Sequence, residues 1–206
     1  RRFRSSFASD TAKVSRTTAA TLHIDTGDAA PVTTRFRQGS KPETEMASAE
    51  VRKMLDNGII VPSTSNWCAN LIFVRKKDKT FRPCVDFRGL NRVTTKIPIA
   101  MPRTDVILGA LGRATIFSTI DFLSGFWQIP IEPESQEKTS FICDLGQFKF
   151  QVMPFGLVNA PAVFQQMMIN VLHRFIGHFV HVYLDDIVIF SSSVEEHLQH
   201  LVAVFS

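Results

Sequence analysis

Two neighbouring carboxylates, Asp185 and Asp186, stand between two apolar runs, Phe179-Val180-His181-Val182 and Ile187-Val188-Ile189-Phe190. Adjacent carboxylates repel each other and resist burial unless something compensates them. A hard divalent cation can do so, because Mg²⁺ takes oxygen ligands, usually one or two carboxylates completed by water and substrate phosphates. A third carboxylate, Asp121, follows the alternating run Thr115-Ile116-Phe117-Ser118-Thr119-Ile120 and precedes Asp185 by 64 residues. A strand, a helix and a hairpin fit in that interval, so the strands carrying these residues can be neighbours in one sheet. Together the carboxylates would hold two metals, which clamp the attacking and leaving oxygens of an in-line displacement at phosphorus. Taken singly, each feature has a plainer reading. Asp185-Asp186 also suits an exposed hairpin turn, and Asp121 suits a cap at a strand end.

The elements that must position these residues follow from periodicity and punctuation. A helix is expected to start near Pro42, with Glu43 and Glu45 favourable to its dipole and Asn57-Gly58 as its stop. Strands are expected over 69–76 and 80–87, around the polar turn Lys77-Asp78-Lys79. Residues 90–102 read as a loop broken by Pro98 and Pro102, and 103–111 as a short helix ended by Gly112. The run 114–120 reads as the buried strand that delivers Asp121, with further strands over 128–131 and 147–153. Asn159 is a good N-cap, and Pro161 falls in the first turn of a helix. The apolar face of that helix is Val163, Phe164, Met167, Met168, Val171, Leu172 and Phe175, and Gly177 closes it. Strands over 178–183 and 187–191 flank Leu184-Asp185-Asp186, and another helix begins at Glu195. Strands and helices mix without strict alternation, which points to an α+β fold.

Hydrophobic residues make up 45% and charged residues 20% of the 206, enough apolar material for a sizeable core. The net charge of +4 suits a polyanionic partner. Cys68, Cys84 and Cys143 are dispersed and odd in number, which argues against zinc and against a disulfide framework. The most apolar stretch, 179–190, is interrupted by Asp185 and Asp186 and is too short to span a membrane. No glycine-rich phosphate loop is present, which disfavours a phosphate-binding regulatory domain. Residues 1–20, rich in Ser, Thr, Ala and Arg, read as linker, and 21–41 as an extended arm. Residues 42–206 read as the main domain. The start at Arg-Arg-Phe-Arg and the stop within an apolar helical pattern suggest a piece of a polyprotein.

Three motifs occur in the order found in reverse transcriptases: Asp121-Phe122-Leu123-Ser124-Gly125-Phe126, Val152 to Pro161, and Tyr183-Leu184-Asp185-Asp186. The second, together with Gly58-Ile59-Ile60-Val61-Pro62-Ser63 and Val85-Asp86-Phe87-Arg88-Gly89-Leu90-Asn91, resembles gypsy-type LTR retrotransposons specifically. The resemblance runs from about His23 to the end. It implies the palm of a right-hand polymerase, a ferredoxin-like sheet with helices on one face, plus a fingers subdomain, cut off before the thumb. The implied activity is RNA-directed DNA synthesis, with a primer 3′-oxygen attacking the α-phosphate of a dNTP. A catalytically silent, domesticated or degenerate copy that only binds nucleic acid is the alternative.

Residue by residue, the resemblance makes Asp121, Asp185 and Asp186 catalytic metal ligands for two Mg²⁺ ions, or Mn²⁺, with Phe122 contributing at the metal site. Lys76 and Arg82 would hold the triphosphate. Phe126 would lie under the incoming sugar and exclude a 2′-hydroxyl, where gypsy-type elements usually have Tyr. Phe155 and Gly156 would flank the nucleotide, and Tyr183, Asn159 and Pro161 would contact nucleic acid. Departures are Trp67-Cys68-Ala69-Asn70 in place of a Pro-containing run, Lys79 in place of a turn Gly, and Trp127 in place of His. Implied partners are an RNA or DNA template with primer, dNTPs, and the protease, RNase H and integrase of a polyprotein. No membrane partner is implied, and the expected location is intracellular, in a cytoplasmic virus-like particle.

Overall fold

Helix α1, Lys41–Asp56, begins where the sequence places it. Pro42 sits in the first turn, and the Glu43 carboxylate accepts from the Ser40 backbone N–H at 2.8 Å and from its hydroxyl at 2.7 Å. This is one arm of a capping box, which satisfies a backbone N–H that the helix leaves without a partner. Those hydrogen bonds also hold the Glu43 carboxyl below its ordinary range. Asn57 caps the C-terminus, and Gly58, at φ 66°, takes the left-handed turn that releases the chain.

The computed structural model describes residues 3, 15–75, 81–99, 109, 111–112, 114–183 and 186–206, with backbone only at 75, 81 and 82. Its remaining elements are strands β1 (Ile60–Pro62), β2 (Ala69–Arg75) and β3 (Phe81–Val85), helix α2 (Arg88–Val93) and strand β4 (Ile116–Ile120). After these come helix α3 (Pro133–Gln136), strands β5 (Phe141–Cys143) and β6 (Gly146–Phe150) and helix α4 (Ala160–Leu172). Strands β7 (Val180–Tyr183) and β8 (Asp186–Ser191) and helix α5 (Val194–Phe205) complete the chain. Two compact units result, Ile97–Gly125 with Pro161–Ser206, and Val14–Lys96 with Phe126–Ala160.

The second unit carries a five-stranded sheet in the order β1-β6-β5-β2-β3, antiparallel except for β2 with β5. Its core is aromatic. Phe141 and Phe150 lie 5.4 Å apart, Phe141 and Phe148 6.1 Å, and Phe87 and Phe150 6.2 Å, all four buried. Each such ring contributes about 1.5–3 kcal/mol by burial. Phenylalanine brings this area without a hydroxyl that would need a buried partner, which gives a physical use for part of the excess of 18 Phe over one Tyr. Residues 21–40 pack along this unit, with Leu22 and Ile24 buried and bridges from Leu22 to Ile131 and from Thr33 to Cys68.

The first unit carries the sheet β4-β8-β7. One face presents Val180, Val182, Ile187 and Ile189, all buried. The opposite face carries Phe117, 48% exposed, and Tyr183, 39% exposed. That second face is open at Phe117 and Tyr183 but closed at Phe190, which pairs with Phe117 and is buried.

Several elements differ from expectation. The loop read from Leu90 begins instead with α2, whose six residues are too short to show periodicity. The strand read over 128–131 is a 3₁₀ turn, Gly125–Gln128, followed by single bridges at Pro130 and Ile131. β1 and β5 have three residues each, below the length at which alternation can register. Helix α4 stops at Leu172, short of Phe175, whose N–H bonds back to the Leu172 carbonyl in a turn. The helix read over 103–111 falls largely outside the described residues.

His181 on β7 stacks on Phe190 at 5.3 Å, and its Nε2 is buried without a partner among the described residues. Burial pushes its pKa down. The folded state therefore resists a proton that the unfolded chain accepts below its ordinary value of about 6.5. Stability contributed by the neutral ring is full above that pH and declines as pH falls towards the depressed folded value. We predict that His181→Phe flattens the loss of Tm between roughly pH 7.5 and 5.5. Equal slopes for the two proteins would show that His181 does not titrate in this way.

Candidate active site

The antiparallel register of β4 on β8 sets Ile120 opposite Ile187. One further step places Asp121, the residue after β4, opposite Asp186, the first residue of β8. Opposed residues of an antiparallel pair project to the same face with Cβ atoms about 4.5–5.5 Å apart. On the other side of β8, Tyr183 pairs with Asp186, leaving two positions for the hairpin connection. Those two, Leu184 and Asp185, lie outside the described residues, as does Lys76.

Asp121 and Asp186 are both exposed, and among the described residues neither has a salt-bridge partner. Like charges set directly opposite each other destabilise a sheet. Two open carboxylates on one face therefore suit a hard divalent cation, which turns their repulsion into coordination. No group of three metal-ligating side chains occurs among the described residues, a search that does not include Asp185.

The chain turns sharply after Asp121. The Phe122 ring packs edge-on against Phe164 of α4, with centroids 5.6 Å apart. Ser124 takes φ 50°, uncommon for a residue with a side chain. A Cβ on Gly125 would come within 2.9 Å of both Phe122 Cβ and Phe164 Cε2. Glycine is therefore required for the turn to close against α4. The anchored ring fixes the backbone at Phe122.

The second unit holds Arg82, Phe126, Phe155, Gly156 and Asn159, while Pro161 and Tyr183 belong to the first. Phe126 is buried, and Phe155, 56% exposed, covers it with ring centroids 4.9 Å apart. Trp127 meets Phe155 edge-on at 6.4 Å. Gly156 takes φ +92°, a conformation that strains any side chain. Asn91 of α2 pins this turn from both sides: its Nδ2 donates to the Gly156 carbonyl at 2.8 Å, and its Oδ1 accepts from the Val158 N–H at 2.9 Å. Asn91 was legible in the sequence only as part of a motif, because its partners lie 65 and 67 residues away.

Asn159 is buried and donates from Nδ2 to the Thr95 carbonyl at 2.8 Å. Pro161 falls in the first turn of α4. Arg82 lies in β3 opposite Val74, with its side chain outside the description. Beside α2, Arg88 grips Asp86 through two nitrogens at 2.8 and 2.6 Å, which lowers the Asp86 pKa. Arg88 is 79% exposed, so solvent screens this pair and it adds little to stability.

Comparison with known proteins agrees with this arrangement. The family profile described as reverse transcriptase (RNA-dependent DNA polymerase) matches residues 74–206. The Pol polyprotein of transposon 297 from Drosophila melanogaster is 41% identical over 76% of this chain and 15% of its own length. That of transposon gypsy, from the same organism, is 37% identical over 89% of this chain and 18% of its own. The chain thus spans less than a fifth of these curated relatives. Among solved structures, the foamy viral protease-reverse transcriptase in complex with an RNA/DNA hybrid superposes with a TM-score of 0.83 at 30% identity. That match covers 93% of this chain and 26% of the viral one. The same viral protein with double-stranded DNA gives a TM-score of 0.79 at 29% identity, covering 95% and 40%. Two paired strands that set carboxylates side by side, a glycine-closed turn behind the first, and a family match over most of the length converge: the chain belongs to the reverse transcriptase family.

Proposed function

We propose that the chain is the fingers and palm of an RNA-directed DNA polymerase from a gypsy-like LTR retrotransposon. It extends a primer 3′-hydroxyl with dNTPs on an RNA or DNA template. The observation that carries this reading is the register that sets exposed Asp121 against exposed Asp186 on neighbouring strands. In it, Asp121, Asp185, Asp186 and the Phe122 carbonyl would hold two Mg²⁺ ions, for which Mn²⁺ could substitute. When bound, the ions acidify the attacking hydroxyl and neutralise charge on the leaving group.

The protein's own share is positioning. Lys76 supplies a point charge and Arg82 a planar fork for triphosphate oxygens. The Phe126 ring occupies the space that a 2′-hydroxyl would need, and Phe155 with Gly156 borders the nucleotide. Tyr183, exposed beside Asp186, meets the primer end, while Asn159 and Pro161 shape the template side from α4 and the turn before it. The net charge of +4 favours a nucleic-acid duplex, and the solved relatives are complexes with such duplexes. The remaining partners are the other domains of a polyprotein, with the enzyme working inside a cytoplasmic particle.

Two outcomes test this reading in the full-length enzyme. Phe126→Ala opens space for the ribose hydroxyl. The ratio of kcat/KM for dNTP over rNTP should fall by roughly one to two orders of magnitude, and an unchanged ratio would make Phe126 a packing residue only. Asp185→Asn keeps size but removes a charge and a good metal ligand. Primer extension should fall by several orders of magnitude while duplex affinity, set by basic contacts to phosphates, stays nearly constant. Extension retained at saturating Mg²⁺ would refute the catalytic assignment and favour the silent-copy alternative, whereas parallel loss of binding would indicate misfolding.

A further inference from the structure

Behind the sheet that carries the carboxylates lies a buried polar chain that the reaction does not use. Ser118 on β4 and Ser191 on β8 project to the face covered by α5. His197 of that helix, 6% exposed, bridges them, with Nε2 2.8 Å from the Ser118 hydroxyl and Nδ1 2.8 Å from that of Ser191. The Ser191 oxygen also lies 2.8 Å from Nδ1 of His200, whose ring stacks flat on Phe179 at 3.7 Å. Nε2 of His200 faces a Glu196 carboxylate oxygen at 4.0 Å. The other Glu196 oxygen accepts from the Ser192 N–H at 2.8 Å and hydroxyl at 2.6 Å.

Proton counting orders this chain. The Ser191 hydroxyl has one hydrogen and two imidazole Nδ1 neighbours, so with neutral rings it donates to one and accepts from the other. The Glu196 carboxylate favours a proton on the facing Nε2 of His200, which leaves Nδ1 of His200 as an acceptor. Ser191 therefore donates to His200 and accepts from Nδ1–H of His197. Nε2 of His197 then accepts from Ser118. Every bond points the same way, from β4 through β8 to Glu196.

We propose that His197 is a positioning residue for the metal-binding carboxylates: one imidazole, fixed as its Nδ1–H tautomer, clasps the two strands that bear Asp121 and Asp186. Ser118 precedes Asp121 by three residues and Ser191 follows Asp186 by five, so the clasp acts on the register that opposes the carboxylates. This rests on the polymerase reading of that site. Neither serine nor His197 touches the substrate side of the sheet.

Two measurements on the full-length protein test it. Histidine-selective ¹⁵N NMR, assigned with the variants, should place the His197 proton on Nδ1, and a proton on Nε2 would overturn the tautomer chain. Mn²⁺ affinity by electron paramagnetic resonance, measured without turnover on protein shown to be folded, reads the carboxylate geometry directly. His197→Phe should weaken Mn²⁺ binding several-fold. His197→Asn, whose amide retains the Ser191 side only, should fall between that variant and wild type. Ser118→Ala, which perturbs folding least, should shift affinity in the same direction. A purely structural histidine would lower Tm and leave Mn²⁺ affinity unchanged, which would refute the proposal. Wild-type primer extension separates the two readings. Extension with variants that bind Mn²⁺ normally sinks the positioning role alone, and a wild-type protein that neither extends primers nor binds Mn²⁺ sinks both.

Discussion

The pairing of β4 with β8 is the constraint on which the rest of this molecule depends. A strand pair can slip only in whole residues, and a slip of one would send Asp121 to the opposite face from Asp186. The register is held by burial, because Val180, Val182, Ile187 and Ile189 all need the same face covered. Helix α5 meets that face, with Ser193 capping its start by accepting from the Glu196 N–H. The hydrophobic demand on one side of the sheet thus sets the position of charge on the other. Repulsion between the exposed carboxylates is the local cost of this arrangement, and a divalent cation would offset it.

The aromatic core of the second unit has a related logic. Phe87, whose backbone forms the N-cap of α2, packs edge-on against Phe150, which in turn meets Phe141. It thereby fixes the helix from which Asn91 reaches the Gly156 turn. An apolar cluster without polar atoms can be packed densely with no hydrogen bond to satisfy. The directional bonds are then concentrated at the turn, where Asn91 contributes both a donor and an acceptor.

Long periodic elements and punctuation were legible in the sequence. The Pro42 start and Asn57-Gly58 stop of α1, the alternating run into Asp121, and the apolar runs that become β7 and β8 all carry local signals. The β4–β8 pairing was legible as a possibility, since strand, helix and hairpin fit between Asp121 and Asp185. What escaped is defined by distant partners or by few residues. Six-residue α2 and three-residue β1 and β5 are too short for a period to emerge. The stretch 128–131 has the composition of a strand, yet it makes single bridges to Leu22 and Val152 because its neighbours arrive from elsewhere in the chain. Asn91 was visible only as a member of a motif and His197 not at all, because each bonds to groups more than 60 residues away.

The two positions between Tyr183 and Asp186 have a consequence for how this site can vary. Hairpins closed by two residues owe their geometry to loop length, which must match the twist of the flanking strands. A replaced side chain there alters chemistry but leaves the pairing intact. An inserted or deleted residue demands a different loop geometry, absorbed as a bulge or as a shift of β7 against β8. The fold at this corner therefore constrains loop length, while the metal-binding role proposed for Asp185 constrains side-chain identity, so the two positions answer to two independent demands.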